Sequence, residues 1–188
     1  MSVPFRGAAL FLCGALFICG CAAGVGPSGG ARAASATGAE VVIPGVPFLP
    51  QEEETCGPSS LAMMLRFLGK KADTAEIAAE TRTAGLRGTL ITDLAAAARR
   101  RGVDAEVVAL DPAGLRAEID AGRPVILLVD LGVWVWSRPH YLLVYGYGWR
   151  GYVAHSGRTA GQDVPAADLA ARWGKMGHLA IVARGTAR

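Results

Sequence analysis

The chain has 188 residues, 52% of them hydrophobic and only 7% aromatic, with a formal net charge of +3. That length suffices for one ordinary domain with a real core, built chiefly from Ala, Leu and Val. A charge so close to balance argues against a nucleic-acid partner. The one basic run, Arg99-Arg100-Arg101, reads as the solvated end of a helix.

Residues 1–20 read MSVPFRGAALFLCGALFICG. Arg6 precedes an apolar run from Ala8 to Ile18 that is too short and too broken by glycine to span a membrane, which is the pattern of a secretory signal. The run ends in FICGC, so small Gly20 stands just before Cys21. This resembles a bacterial lipobox, which implies cleavage before Cys21 and lipidation of its thiol; an ordinary signal peptide cut near ARAAS is the alternative. Residues 21–39 hold little but small side chains, cannot bury a core, and read as a flexible tether. The expected location is therefore the bacterial cell envelope, with the domain of residues 40–188 exported and lipid-anchored. Cleavage also removes Cys13 and Cys19. With Cys21 lipidated, Cys56 has no partner for an internal disulfide, so it is a reactive thiol or makes an intermolecular bond.

The domain opens with VVIPGVPFLP, an extended segment broken by prolines. In CGPSSLAMMLRFLG the residues Leu61, Met64, Leu65 and Leu68 recur at helical spacing and Gly69 ends the helix. Cys56 thus falls at or just before a helix N-terminus. DTAEIAAETRTAG and GTLITDLAAAARRRG predict two more helices, the second capped by Thr89 or Thr92. VDAEVVAL predicts a strand, DPAGLRAEIDAG a helix stopped by Gly122, and RPVILLVDLG a buried strand. HYLLVYGYGWRGYVAHSG alternates and turns between Gly146 and Gly151 as a hairpin. VPAADLAARWG predicts a late helix and HLAIVAR a last strand. Helices come first and antiparallel strands later, which makes the class α+β.

A thiol attacks as its thiolate, and a helix N-terminus or a nearby imidazolium favours that form. Of His140, His155 and His178, His140 is the best placed, opening the strand HYLLVYGYG where its ring can meet the helix N-terminus. Gln51, five positions before Cys56, has an amide able to donate to an oxyanion beside the backbone N–H of Cys56. The plain alternatives are a surface histidine and a polar loop residue. His178 reads as structural. One cysteine and three scattered histidines lack the paired spacing of a metal site, and no cofactor is expected.

VPFLPQEEETCGPSSLAMMLRFLG resembles the nucleophile motif of the bacteriocin-processing, double-glycine-leader cysteine peptidases and their stand-alone relatives. AGRPVILLVDLG followed by PHYLLVYGYG is similar to the second block of that family, which carries its histidine. The likeness runs from about Val46 to Val182. It implies a papain-like fold, with Cys56 as nucleophile, His140 as general base then acid, and Gln51 at the oxyanion. It also implies a peptide or protein substrate attacked through a thioester; a monomer is expected.

One departure stands out. The family places Asp or Asn one strand after the histidine, and here GYVAHSG puts His155 or Ser156 there; Asp130 and Asp163 are the nearest acids. His155 is the candidate third member, or a packed residue without a role. This leaves two further readings open: a peptide-binding module with weak turnover, or an acyltransferase or amidase using the same Cys–His pair. Glu52, Glu53 and Glu54 oppose a thiolate unless solvated, and solvation on a loop is expected. Trp134 and Trp136 in VWVWS either line an apolar substrate cleft or pack in the core.

Overall fold

The computed structural model describes residues 40–52, 54–83, 85 and 88–186. The expected signal and tether, Cys21 included, lie outside the described residues, as does Glu53.

Val41–Val42 form a two-residue strand, β1, ahead of the prolines. The apolar helical spacing that follows gives α1 (Cys56–Phe67), which buries Leu61, Met64 and Leu65. Next, α2 (Thr74–Thr81) is capped by Asp73, whose carboxylate accepts from the backbone N–H groups of Ala75 and Glu76. In α3 (Ile91–Arg100) the N-cap position belongs to Leu90, with no side-chain cap, and not to a threonine. Thr89 is committed elsewhere: its carbonyl accepts from the Tyr141 hydroxyl at 2.9 Å and its own hydroxyl meets that of Thr81. Thr92 lies inside the helix. Arg100 and Arg101 at its end pair with Glu80 of α2.

Strand β2 (Val103–Ala109) leads to α4 (Pro112–Asp120), which has Asp111 as N-cap and proline in its first turn, where a missing N–H costs nothing. Then come β3 (Val125–Asp130), β4 (Pro139–Gly148) and β5 (Gly151–Ser156), as the sequence led us to expect. A further strand, β6 (Thr159–Val164), was not expected. Its sequence TAGQDV has no apolar alternation, and it lies exposed at the sheet edge. The chain ends with α5 (Ala166–Gly174) and β7 (Leu179–Thr186).

The strands form one antiparallel sheet in the order β2-β7-β3-β4-β5-β6, with β1 added against β4. Every residue of β3 is buried, because both faces of the sheet are covered. Ile126 and Leu143 pack with Leu61, Met64 and Leu94 of α1 and α3 on one side. Leu127 and Val144 pack with Leu115, Leu169 and Trp173 of α4 and α5 on the other. Successive residues of VILLV therefore feed alternate cores, which explains an unbroken apolar run in an antiparallel strand. The class is α+β, as the order of helices and strands predicts.

This packing sets the start of α1 against the start of β4. Gly57 is the point of closest approach. A Cβ there would come 2.9 Å from Leu94 Cδ1 and 3.1 Å from the Tyr141 ring, closer than carbon atoms pack.

Candidate active site

Cys56 is the first residue of α1 and the only cysteine among the described residues, where it is unpaired. Its sulfur is partly buried and faces backbone N–H groups of Tyr141, Gly57 and Cys56 itself. Two of these belong to the open first turn of the helix. The third belongs to the residue after His140, so α1 and β4 meet at the thiol.

His140 lies at the second position of β4, opposite Val129 of β3. Its Nε2 is 3.0 Å from Ser156 Oγ on the neighbouring strand. Cys56, His140 and Gln51 all line one cleft of about 690 Å³, together with Glu52, Glu54, Arg138 and Gly157. This is ample room for a segment of peptide chain.

Gln51 is buried, and its amide is oriented by its partners. The N–H of Gly157 can only donate, so the atom 2.8 Å from it is the amide oxygen. A second bond, from Gln51 N–H to the Gly157 carbonyl at 2.8 Å, doubles the tie. The amide nitrogen then points inward, donating to Ser60 Oγ at 3.1 Å and more weakly to the Cys56 carbonyl at 3.5 Å. One of its two hydrogens is thus loosely held beside the nucleophile. A turn at residues 52–55 closes the gap to Cys56: Thr55 Oγ1 accepts from the Glu52 N–H and donates to the Glu52 carbonyl. Glu52 and Glu54 are exposed on that turn.

Three sequence expectations need correction. His155 does not meet His140. Neighbouring residues of a strand face opposite ways, and on β5 it is Ser156 that shares the face of His140. Both ring nitrogens of His155 are engaged elsewhere, Nδ1 accepting from the Gly161 N–H at 3.1 Å and Nε2 donating to the Val46 carbonyl at 3.3 Å. The ring is packed between Phe48 and Tyr145. Of the two nearby acids, Asp130 spends its carboxylate on the N–H groups of Gly132 and Arg138, and Asp163 pairs with Arg150. Trp134 and Trp136 neither line the cleft nor pack in the core. Residues 131–138 are a loop and not an alternating strand, and these two side chains are 97% and 78% exposed. His178 packs edge-on against Trp173, a structural role as expected.

Burial disfavours either charge alone. It pushes the Cys56 thiol up, against the opposing pull of the three backbone N–H groups and of Arg138. It pushes the His140 imidazole down to about 4, with Arg138 acting in the same direction. Burial thus favours the uncharged form of each side chain. Arg138 was not singled out in the sequence. Among the described residues no group of three His, Cys, Asp or Glu side chains is arranged to hold a metal ion.

A cysteine at a helix N-terminus and a histidine at the start of a strand thus line one cleft, the arrangement expected of a papain-like domain. Residues 43–181 match the model of the Peptidase_C39-like family, and the chain belongs to that family. The solved structures it is similar to include a protein described as a C39-like peptidase from Bacillus anthracis, at 20% identity and a TM-score of 0.66, covering 79% of this chain and 99% of that one. The peptidase domain of Streptococcus ComA, a bifunctional ABC transporter of a quorum-sensing pathway, is 21% identical with a TM-score of 0.63, covering 76% and 99%. A double-glycine-motif protease from an AMS/PCAT transporter, in complex with its leader peptide, is 18% identical with a TM-score of 0.60, covering 75% and 92%. At these identities the likeness is one of fold. No curated protein matched the chain.

Proposed function

We propose that this chain is an exported, monomeric cysteine peptidase, tethered to a cell-envelope membrane through lipid on Cys21. The observation that carries the catalytic reading is the convergence of Cys56, His140 and Gln51 on one cleft. A peptide substrate is supported by that cleft and by the leader peptide bound to one structural neighbour.

The steps follow from the geometry. The Cys56 sulfur attacks the scissile carbonyl carbon while His140 takes the thiol proton, so charge appears only as the new bond forms. The resulting oxyanion accepts hydrogen bonds from the Cys56 N–H, in the open first turn of α1, and from the loosely held N–H of Gln51. His140 then gives its proton to the leaving amine, the C–N bond breaks and a thioester remains. Water attacks the thioester with His140 again as base, releasing the acid and restoring the thiol. Ser156 holds the imidazole where the family has Asp or Asn. A hydroxyl orients the ring without stabilising its charge, which favours slow turnover and keeps the weak-turnover binding reading in view.

The test compares wild-type protein with Cys56→Ala and His140→Ala on a peptide library read by mass spectrometry, with and without added amines. The expected result is cleavage by wild type alone and a trapped thioester on Cys56. Cleavage that survives Cys56→Ala would sink the proposal. Amide products formed in preference to acids would replace hydrolysis by acyl transfer.

A further inference from the structure

Between β3 and β4 the chain makes a closed, self-supporting loop with an apolar tip. Asp130 Oδ1 accepts from the N–H groups of Gly132 at 2.7 Å and Arg138 at 2.8 Å. Leu131 N–H donates to the Arg138 carbonyl, and Trp136 N–H to that of Val133. The turn is so tight that a Cβ on Gly132 would fall 1.8 Å from the Trp136 carbonyl oxygen. Trp134 is held at a φ of 55°, a conformation bulky side chains rarely adopt. Within this frame Val133, Trp134, Val135 and Trp136 are 71%, 97%, 87% and 78% exposed. Four successive apolar side chains are thus fixed outward. The other large exposed apolar residues among those described, Val42, Leu90 and Trp149, stand far apart in the chain.

An apolar tip of this kind needs an occupant. A peptide side chain is buried in a concavity, whereas this tip is convex. The cleft takes Ser137, Arg138 and Pro139 from the loop but none of residues 133–136. A soft phase fits a convex wedge better, and tryptophan is the side chain that favours the bilayer interface. Charge complementarity points the same way. Arg138 is exposed at the foot of the loop, and Lys175 acts on Asp130 at its base. Exposed Arg158 follows Ser156, at the same end of the sheet. Asp130 is enclosed by its donors; Glu52 and Glu54 lie on the turn before α1.

We propose that residues 133–136 form a membrane-docking tip, which inserts Trp134 and Trp136 into the interface of an anionic phospholipid bilayer while Arg138 and Lys175 meet headgroup phosphates. Docking brings the cleft mouth to the bilayer surface, so the preferred substrates are peptides at or emerging from it.

The test uses the full chain carrying Cys21→Ser, which takes no lipid, with vesicles of phosphatidylethanolamine and phosphatidylglycerol whose acyl chains are brominated to quench tryptophan. Residues 1–39 contain no tryptophan, so the signal reports the domain. Quenching should persist in Trp149→Phe and disappear in Trp134→Ser/Trp136→Ser, whose vesicle affinity should fall on the order of tenfold or more. Lys175→Gln should weaken binding to these vesicles but not to phosphatidylcholine, and added salt should mimic it. Equal quenching with and without the two loop tryptophans overturns the proposal. So does a drop in peptide cleavage by the double variant in the absence of vesicles, which would make the tip a substrate subsite, or its conversion of a dimer to a monomer. Vesicle binding is read without turnover, so it stands or falls separately from the peptidase reading.

Discussion

Replacing Ser156 with Asp should turn a neutral Cys56–His140 pair into an ion pair. Burial holds the thiol above its ordinary value and the imidazole at about 4, so the proton is held on sulfur. A carboxylate within hydrogen-bond reach of the ring raises its pKa by about 1–3 units, or about 1.4–4 kcal/mol in favour of the imidazolium. Ser156 Oγ already lies 3.0 Å from Nε2, and a cavity of about 130 Å³ beside it gives the longer side chain room to turn. The assay is the rate of Cys56 alkylation by iodoacetamide against pH, followed by mass spectrometry. Wild type should label slowly below about pH 7, and Ser156→Asp on the order of tenfold faster near pH 6. The gain should vanish in Ser156→Asp/His140→Ala. A folded Ser156→Asp whose profile superimposes on wild type would refute the electrostatic account.

Gln51→Glu keeps the acceptor for the Gly157 N–H but replaces the inward N–H with carboxylate oxygen; kcat on a cleaved peptide should fall about 10²–10³-fold with little change in KM. Gly57→Ala puts a methyl group 2.9 Å from Leu94 Cδ1 and 3.1 Å from the Tyr141 ring. Thermal unfolding should show a loss of about 1–3 kcal/mol, with the Cys56 labelling rate changed because the methyl group parts α1 from β4. Stability should also fall with acid. In the folded state His140 binds its proton at about 4, and in the unfolded chain at about 6.5. Between those values the unfolded chain holds more protons, so stability is present above about pH 6.5 and is lost as pH falls toward 4, by about 3 kcal/mol for His140 alone. His155, also lowered by burial against the raising effect of the Val46 carbonyl, adds in the same direction. Denaturant midpoints measured across that range should drop in wild type and drop less in His140→Ala.

Most of the fold was legible because its signals are local. Helical spacing marks α1, Gly122 stops α4, and the apolar run of β3 declares a buried strand. What escaped depends on pairing across strands. β6 is polar because it is an edge, so nothing apolar announces it. The choice between His155 and Ser156 turns on which face of β5 shares the face of His140, and the register of β5 against β4 shifts between Val144 and Gly146. No single strand's sequence records that shift. VWVWS reads as cleft or core, yet it is a loop, because Asp130 ends β3 by accepting from Gly132 and Arg138. The tie between Gln51 and Gly157 joins positions 106 apart in the chain, and neither residue signals the other. Cys56 and Gln51 were readable as chemistry; how Gln51 is aimed was not.

The same turn governs both partners of the nucleophile. Ser156 meets the His140 ring, and Gly157, the next residue, holds Gln51 through two hydrogen bonds. A displacement of this turn therefore disturbs the base and the oxyanion donor together. The hydroxyl at position 156 also has a consequence for the resting thiol. An unpaired cysteine in an oxidising compartment is exposed to oxidation and disulfide exchange, and both act on the thiolate. A carboxylate behind His140 would draw the pair toward the charged form at all times. Under the proposed mechanism, serine keeps the ring in place while burial disfavours the thiolate, so that Cys56 acts as a nucleophile mainly when a carbonyl is bound to accept it. For the exported domain proposed above, a lower turnover rate is then the counterpart of a longer-lived active site.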